Sequence, residues 1–222
     1  MRKVQLATNE YYHIYNRGVD KRKVFLDDLD YLRFLKSMKE FNSLEPIGSL
    51  YEKYLREKKN GNYNGSSTSI MEVELPKLVE IIAYCLNPNH YHFILRQVAE
   101  KGIEKFMQRL GTSYTKYFNQ KNSRTGALFG GKFKSSHIAP NALLYLSAYV
   151  SCNSEIHGIA KAENYHWCSF PEFIGKRKEG LCETKEILGQ FKSGQEYFDF
   201  AVENIKNQIQ RKADEKLLLE EI

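Results

Sequence analysis

Apolar and helical-period segments in this chain follow the order strand, helix, strand, strand, helix, strand, which predicts an α+β fold: a ferredoxin-like βαββαβ antiparallel sheet with its helices on one face. Two observations carry the prediction. Residues 79–86 and 91–97 are apolar segments joined by Asn87, Pro88 and Asn89, as in a hairpin. Residues 103–118 keep their apolar side chains at helical spacing. With 222 residues, the chain can form one sizeable domain with extensions.

The first strand and the first helix are predicted from the start of the chain. Residues 10–18 alternate in polarity and are rich in aromatic side chains, which favours a strand. Asp27 or Asp28 can cap the helix that follows. Residues 42–76 are polar in their middle, and we predict that they form an insertion before the second strand, with a short helix over 51–59.

A fourth strand, a third helix and a C-terminal extension complete the prediction. Residues 135–139 favour the strand, and Pro140 opens a helix because a missing N–H costs nothing at the first helical position. This helix is expected to run without interruption to a stop near Gly158. We therefore predict a domain over 1–175 and a helical extension over 176–222. The extension has a helix with four apolar side chains on one stripe: Phe198, Val202, Ile205 and Ile209.

Composition limits the partners and the compartment. The chain has 33 Lys and Arg against 27 Asp and Glu, a net charge of +6 that permits a nucleic-acid or anionic-membrane partner without demonstrating one. Fifteen Tyr and 13 Phe lie among these cations; such rings either stack on unpaired bases or simply fill the core. The four cysteines lack C-x-x-C spacing. No signal peptide or long apolar run is evident, so we expect a cytoplasmic protein with no membrane partner.

The segment His90-Tyr91-His92 is the most specific candidate for a functional site. On a strand, residues i and i+2 point to the same face, so the two imidazoles project side by side. Histidine is the commonest metal ligand, and such a pair on a rigid strand is suited to hold a cation. The alternative is two ordinary surface or core histidines. His13, on the first strand, can face either the site or the core.

Tyr149 and Asn153 are four residues apart on the predicted third helix and therefore share a face. If that face meets the histidines, the imidazoles and the Asn153 amide oxygen would hold a divalent cation, Mg²⁺ or Mn²⁺ in preference to Zn²⁺, with open positions for a phosphate. A phenol can act as a nucleophile. The alternative is a packed helix tyrosine, and Tyr145, one turn earlier, is a rival nucleophile.

The ordered series of motifs resembles the single-tyrosine HUH transposases of the insertion-sequence type, and most closely the REP-associated tyrosine transposases. The resemblance covers about residues 10–170. The matching segments are 12–18, 87–95, 130–135, 148–153 with His157 and Gly158, and 165–169. One departure is Tyr91, where the family usually has a bulky aliphatic residue; it would point to the opposite face and pack there.

The resemblance implies an enzyme that cleaves and rejoins single-stranded DNA at hairpin elements. His90 and His92 would be the paired metal ligands, with Asn153 as the third. Tyr149 would attack a DNA phosphate, which produces a 5′-phosphotyrosine link and a free 3′-OH. The energy of the broken bond is kept in that link, so rejoining needs no ATP. Members of the family act as monomers or as homodimers.

DNA contacts are assigned to five basic residues in the matching segments or beside them, where phosphates are expected. They are Arg17, Lys21, Arg22, Lys132 and Lys134. Two other readings are open. A domesticated transposase could bind hairpin DNA or RNA without cutting, since a sheet of this plan is also used in RNA recognition. A hydrolase could use the two histidines and a metal-bound water, although no carboxylate cluster accompanies them.

Overall fold

A four-stranded antiparallel sheet in the order β2-β3-β1-β4 forms the centre of the computed structural model, which describes residues 5–59, 76–178 and 180–220 and no side chains beyond 211. The polar middle of the predicted insertion, 60–75, lies outside the described residues. The strands are β1 (Tyr11–Arg17), β2 (Val79–Asn87), β3 (His90–Gln97) and β4 (Lys134–Ile138). The predicted α+β class and the sheet topology are confirmed.

Eight helices accompany the sheet in the described part of the chain. They are α1 (Asp28–Glu40), α2 (Leu50–Lys59), α3 (Gly102–Lys121), α4 (Leu143–Ser151), α5 (Asn153–Ile156), α6 (Phe170–Phe173), α7 (Lys185–Leu188) and α8 (Gly194–Glu220). Helix α2 lies between α1 and β2, and the other elements up to β4 keep the predicted βαββαβ order. The insertion itself stays a prediction.

Helices α1 and α3 cover one face of the sheet, as predicted. Asp27 is the N-cap of α1, and its carboxylate accepts a hydrogen bond of 3.1 Å from the Asp30 backbone N–H. Phe34 on α1 and Tyr114 on α3 are fully buried with their rings in a T-shaped contact at 4.8 Å. Strand side chains at alternate positions complete this core, which leaves the other face of the sheet for α4.

The third predicted helix is not continuous, and this expectation was wrong. Pro140–Ala142 forms a 3₁₀ turn, α4 follows, and the backbone leaves helical geometry at Cys152, with φ −101° and ψ 14°, before the single turn of α5. Local spacing cannot detect this break, because the segment after Cys152 carries no Pro or Gly before Gly158. Asn153 therefore begins α5 rather than continuing the helix of Tyr149.

The C-terminal helix packs on α4 with a different stripe from the predicted one. Tyr197, Ala201 and Ile205 are buried, whereas Ile209 is exposed. The phenol oxygen of Tyr197 lies 3.3 Å from Ser147 Oγ on α4. Ile205 is thus buried as predicted, whereas at two of the four predicted positions, Phe198 and Val202, the fully buried residue is the preceding one. No helix within the described residues is long and apolar enough to span a membrane.

The turn between β2 and β3 is held by the loop after β1. Gly18 N–H donates to the Asn89 carbonyl at 2.8 Å, and Val24 N–H donates to the Pro88 carbonyl at 2.7 Å. Gly18 is required here because a Cβ would lie 2.2 Å from the Arg22 carbonyl oxygen. These bonds fix the start of β3, where the histidine pair begins.

Candidate active site

His90 and His92 lie on the face of β3 that is turned towards α4. Their ring centroids are 5.2 Å apart and the ring planes are nearly perpendicular. His90 is 6% exposed, and His92 is half-buried. Tyr91 points to the opposite face, where its ring stacks on Phe93 at 4.8 Å. The alternation expected from the strand thus places both imidazoles on one side.

A chain of hydrogen bonds sets the tautomer of His90. The Asn89 amide nitrogen donates to the Lys21 carbonyl at 3.2 Å, so the Asn89 Oδ1 faces His90 Nδ1, at 2.6 Å. An amide oxygen only accepts, so His90 Nδ1 carries the proton and Nε2 keeps its lone pair. An imidazole binds a metal through such a lone pair, and the hydrogen bond at Nδ1 selects this tautomer.

Asn153 meets His90 in the interior, although it no longer shares a helix with Tyr149. Its Oδ1 lies 3.4 Å from His90 Nε2 and accepts a hydrogen bond of 2.7 Å from the Asn87 amide nitrogen. Asn153 is fully buried, and its Nδ2 has no hydrogen-bond partner in the described part of the chain. Because only its oxygen is hydrogen-bonded, the orientation of this buried amide depends on the groups that the oxygen contacts.

Tyr149 on α4 stands over the histidines. Its ring lies 6.1 Å from the His92 ring and 6.3 Å from the His13 ring, edge-on in both cases. Burial raises the pKa of the Tyr149 phenol above its ordinary value, the Asn153 amide lowers it, and the nearby phenols of Tyr145 and Tyr15 raise it. The phenol is therefore protonated at neutral pH and must lose its proton if it is to attack.

His13 is a site residue that the sequence left unassigned. Its Nε2 lies 2.8 Å from His92 Nδ1, with the two rings stacked at 5.0 Å. Burial lowers the pKa of His13 to about 4, so its imidazole is neutral at physiological pH. From strand alternation alone, His13 could face either side of the sheet. The pairing of β1 with β3 shows that it lies on the same side as His92.

The five predicted DNA contacts lie near the end of β1 and are all exposed. Arg17 pairs with His90 in the β1–β3 register. Lys134 Nζ lies 5.9 Å above the ring of Tyr15, which in turn stacks on His92 at 5.7 Å. The Lys21 carbonyl is used to hold Asn89. The remaining two residues are Lys132 and Arg22. Lys132 lies in the loop before β4, and the Arg22 guanidinium is 3.5 Å from the Asp20 carboxylate.

The donor set at His90 is suited to a hard divalent cation. Among the described residues, no three side chains of the His, Cys, Asp and Glu types gather into a metal site. The lone pair of His90 Nε2 and the buried Asn153 Oδ1 nevertheless face one another, and His92 lies beside them. Imidazole and amide oxygen together fit Mg²⁺ or Mn²⁺.

Comparison with known proteins finds a similarity to one transposase family. Residues 53–153 match the family model described as transposase, IS200-like. This part of the chain is therefore similar to the IS200-like transposases. The matched range contains both histidines, Tyr149 and Asn153. It begins within 42–76, so the limits of the insertion stay a prediction.

A solved structure has a similar fold. It is the structure of a REP-associated tyrosine transposase bound to a REP hairpin, and it matches with 13% sequence identity and a TM-score of 0.50. The match covers 84% of this chain and 92% of that one. No curated protein matches the sequence. At this identity, the likeness establishes a shared architecture, not shared chemistry.

Proposed function

We propose that the protein cleaves and rejoins single-stranded DNA at hairpin elements through a covalent 5′-phosphotyrosine at Tyr149. The observation that supports this proposal is the convergence, within one chain, of the Tyr149 phenol with the His92 ring and with the buried pair of His90 Nε2 and Asn153 Oδ1. A protein that only binds DNA does not need a phenol beside a cation-binding set.

Each residue of the site has a role in the proposed reaction. The Tyr149 oxygen attacks the scissile phosphorus; a P–O bond forms to tyrosine, the P–O3′ bond breaks, the phenol proton is lost and the 3′ oxygen gains one. His90, His92 and Asn153 would hold a divalent cation, Mg²⁺ or Mn²⁺. When bound, that cation stabilises charge on the phosphoryl oxygens. Attack by a 3′-OH on the phosphotyrosine reverses the step and completes joining.

The DNA is proposed to approach along the end of β1. Arg17, Lys132 and Lys134 expose cations there that can bind phosphates. Tyr15 offers a ring beside His92 on which an unpaired base can stack. The solved transposase of similar fold is bound to a REP hairpin, and we extend that ligand class to this chain as part of the proposal.

The test is a search for a covalent adduct. The protein is incubated with Mn²⁺ and labelled single-stranded hairpin oligonucleotides from the DNA that flanks its gene, and the products are separated on a denaturing gel. We expect label that migrates with the protein. Tight hairpin binding without any adduct would contradict cleavage and would favour the alternative, a non-cleaving hairpin-binding protein derived from a transposase.

We further predict that His13 positions His92. In the proposed arrangement, His92 Nδ1–H donates to His13 Nε2, which leaves the His92 Nε2 lone pair for the cation. The variant His13→Phe keeps a ring and removes the acceptor, so we expect Mn²⁺ affinity to fall by about tenfold or more. Titration of the free protein with Mn²⁺, followed by electron paramagnetic resonance, measures this. His13→Gln, which retains an acceptor, should recover part of the affinity; unchanged binding in His13→Phe would refute the role.

A further inference from the structure

Asn87, at the end of β2, is a fully buried amide at the centre of the site. The sequence indicated only a turn residue at this position. Its Nδ2 lies 2.7 Å from Asn153 Oδ1 and 2.9 Å from His90 Nε2. One NH₂ group has two hydrogens to donate, and here it faces two acceptors. The Asn87 amide therefore bridges the two atoms that the proposed function assigns as ligands of a cation.

The three atoms form a triangle of suitable size for a metal site. Its edges are the two Asn87 distances of 2.7 and 2.9 Å and the separation of 3.4 Å between His90 Nε2 and Asn153 Oδ1. A cation with octahedral ligands at 2.0–2.1 Å holds adjacent ligands about 3.0 Å apart. The backbone thus already holds three side-chain positions at the spacing that such a cation requires.

The orientation of the Asn87 amide decides whether the triangle suits a cation. As it stands, the NH₂ hydrogens satisfy His90 and Asn153 but would point at a bound cation and repel it. Turning the amide by 180° about its last bond exchanges Oδ1 and Nδ2 without a change of shape. The nitrogen then faces Cys85 Sγ, which lies 3.5 Å from the present Oδ1 and is a weak acceptor. The oxygen then faces the cation position.

We propose that Asn87 is itself a ligand of the cation, through Oδ1, and that until the cation binds its amide nitrogen occupies the position of that oxygen and donates to His90 and Asn153. This inference rests on the proposed function, since it concerns the same site. It also agrees with the composition of the site: no His, Cys, Asp or Glu triad is present in the described ranges, and amide oxygens are ligands that hard divalent cations accept. His90, His92, Asn153 and Asn87 would then be four ligands.

The test compares Mn²⁺ affinity in two near-isosteric variants, each measured on the full chain without DNA by titration and electron paramagnetic resonance. Asn87→Leu removes the oxygen, and we expect affinity to fall by about tenfold or more. Asn87→Asp supplies an anionic oxygen without an opposing N–H, and we expect affinity to rise by about tenfold. If the amide were only a competitor of the cation, Asn87→Leu would bind Mn²⁺ more tightly than wild type, which would overturn the proposal.

Two controls separate ligation from other effects. Asn16→Asp adds the same charge on β1, but on the opposite face of the sheet, where its carboxylate cannot be a ligand; it should therefore change Mn²⁺ affinity much less than Asn87→Asp does. Thermal unfolding without metal shows that each variant is folded; Asn87→Asp alone decides the matter if Asn87→Leu does not fold. If His90→Ala lowers Mn²⁺ affinity and the Asn87 variants match wild type, this inference fails and the proposed function stands. If wild type binds no Mn²⁺, both the inference and the cation in the proposed function fail.

Discussion

Replacing Tyr149 by Phe is expected to abolish the covalent protein–DNA adduct while hairpin affinity stays within about twofold of wild type. The substitution removes one oxygen and keeps the ring that contacts His13 and His92. Loss of a nucleophile typically lowers a rate by about a thousandfold or more. The measurement pairs a denaturing gel for the adduct with a native titration for binding. Loss of both signals together would point to a folding defect and is not the expected result.

Tyr145→Phe is the matched control for Tyr149→Phe. Tyr145 lies one turn earlier on α4, and its phenol is close enough to raise the pKa of Tyr149. We expect this variant to keep the adduct. If Tyr145→Phe alone lost the adduct, the assignment of the nucleophile to Tyr149 would be wrong.

The pH dependence of adduct formation gives a second readout on Tyr149. Because burial raises the pKa of the phenol, the reactive phenolate is scarce at neutral pH, and its fraction grows as the pH rises towards the pKa. We therefore expect the rate of adduct formation to increase with pH across the neutral and mildly alkaline range, when Mn²⁺ is saturating. A rate that falls over this range would show that loss of the phenol proton does not limit the reaction.

Replacing His90 by Ala is the second large change that we expect. His90 Nε2 is the donor whose lone pair is held ready by the Asn89–Lys21 chain, and its removal also leaves Asn153 Oδ1 without its imidazole neighbour. Mn²⁺ affinity should fall by about a hundredfold, which is the upper end of the range expected when a group that supports a metal site is removed. The adduct should then vanish at ordinary Mn²⁺ concentrations.

His137→Ala is the control for this variant. His137 is an exposed imidazole on β4 that contacts Glu10, away from the cluster. It should retain both Mn²⁺ affinity and the adduct. Full activity in His90→Ala at the same Mn²⁺ concentration would remove the cation site from the mechanism, while Tyr149 could still be the nucleophile.

Local patterns were sufficient for most of the sheet and for its first two helices. The hairpin of β2 and β3 follows from two apolar segments around Asn87-Pro88-Asn89, and the Asp27 cap follows from its position before a helical-period segment. These features depend on neighbours in sequence, so single-sequence reasoning reaches them. The break at Cys152 and the exact stripe that α8 buries depend on packing between distant segments; local spacing missed the break and was correct for Ile205 but not for the other stripe positions.

The same division applies to the site. Two-residue alternation determined that His90 and His92 share a face, and their order with Tyr149 and Asn153 indicated the resemblance to a transposase family. Only the tertiary structure decided which other groups meet them: the β1–β3 register brought His13 to His92, and burial placed the Asn87 amide between His90 and Asn153. The physical reason is that side-chain periodicity is a local property of the backbone. The hydrogen-bond partner of a buried polar group depends instead on which segments, distant in sequence, pack against each other.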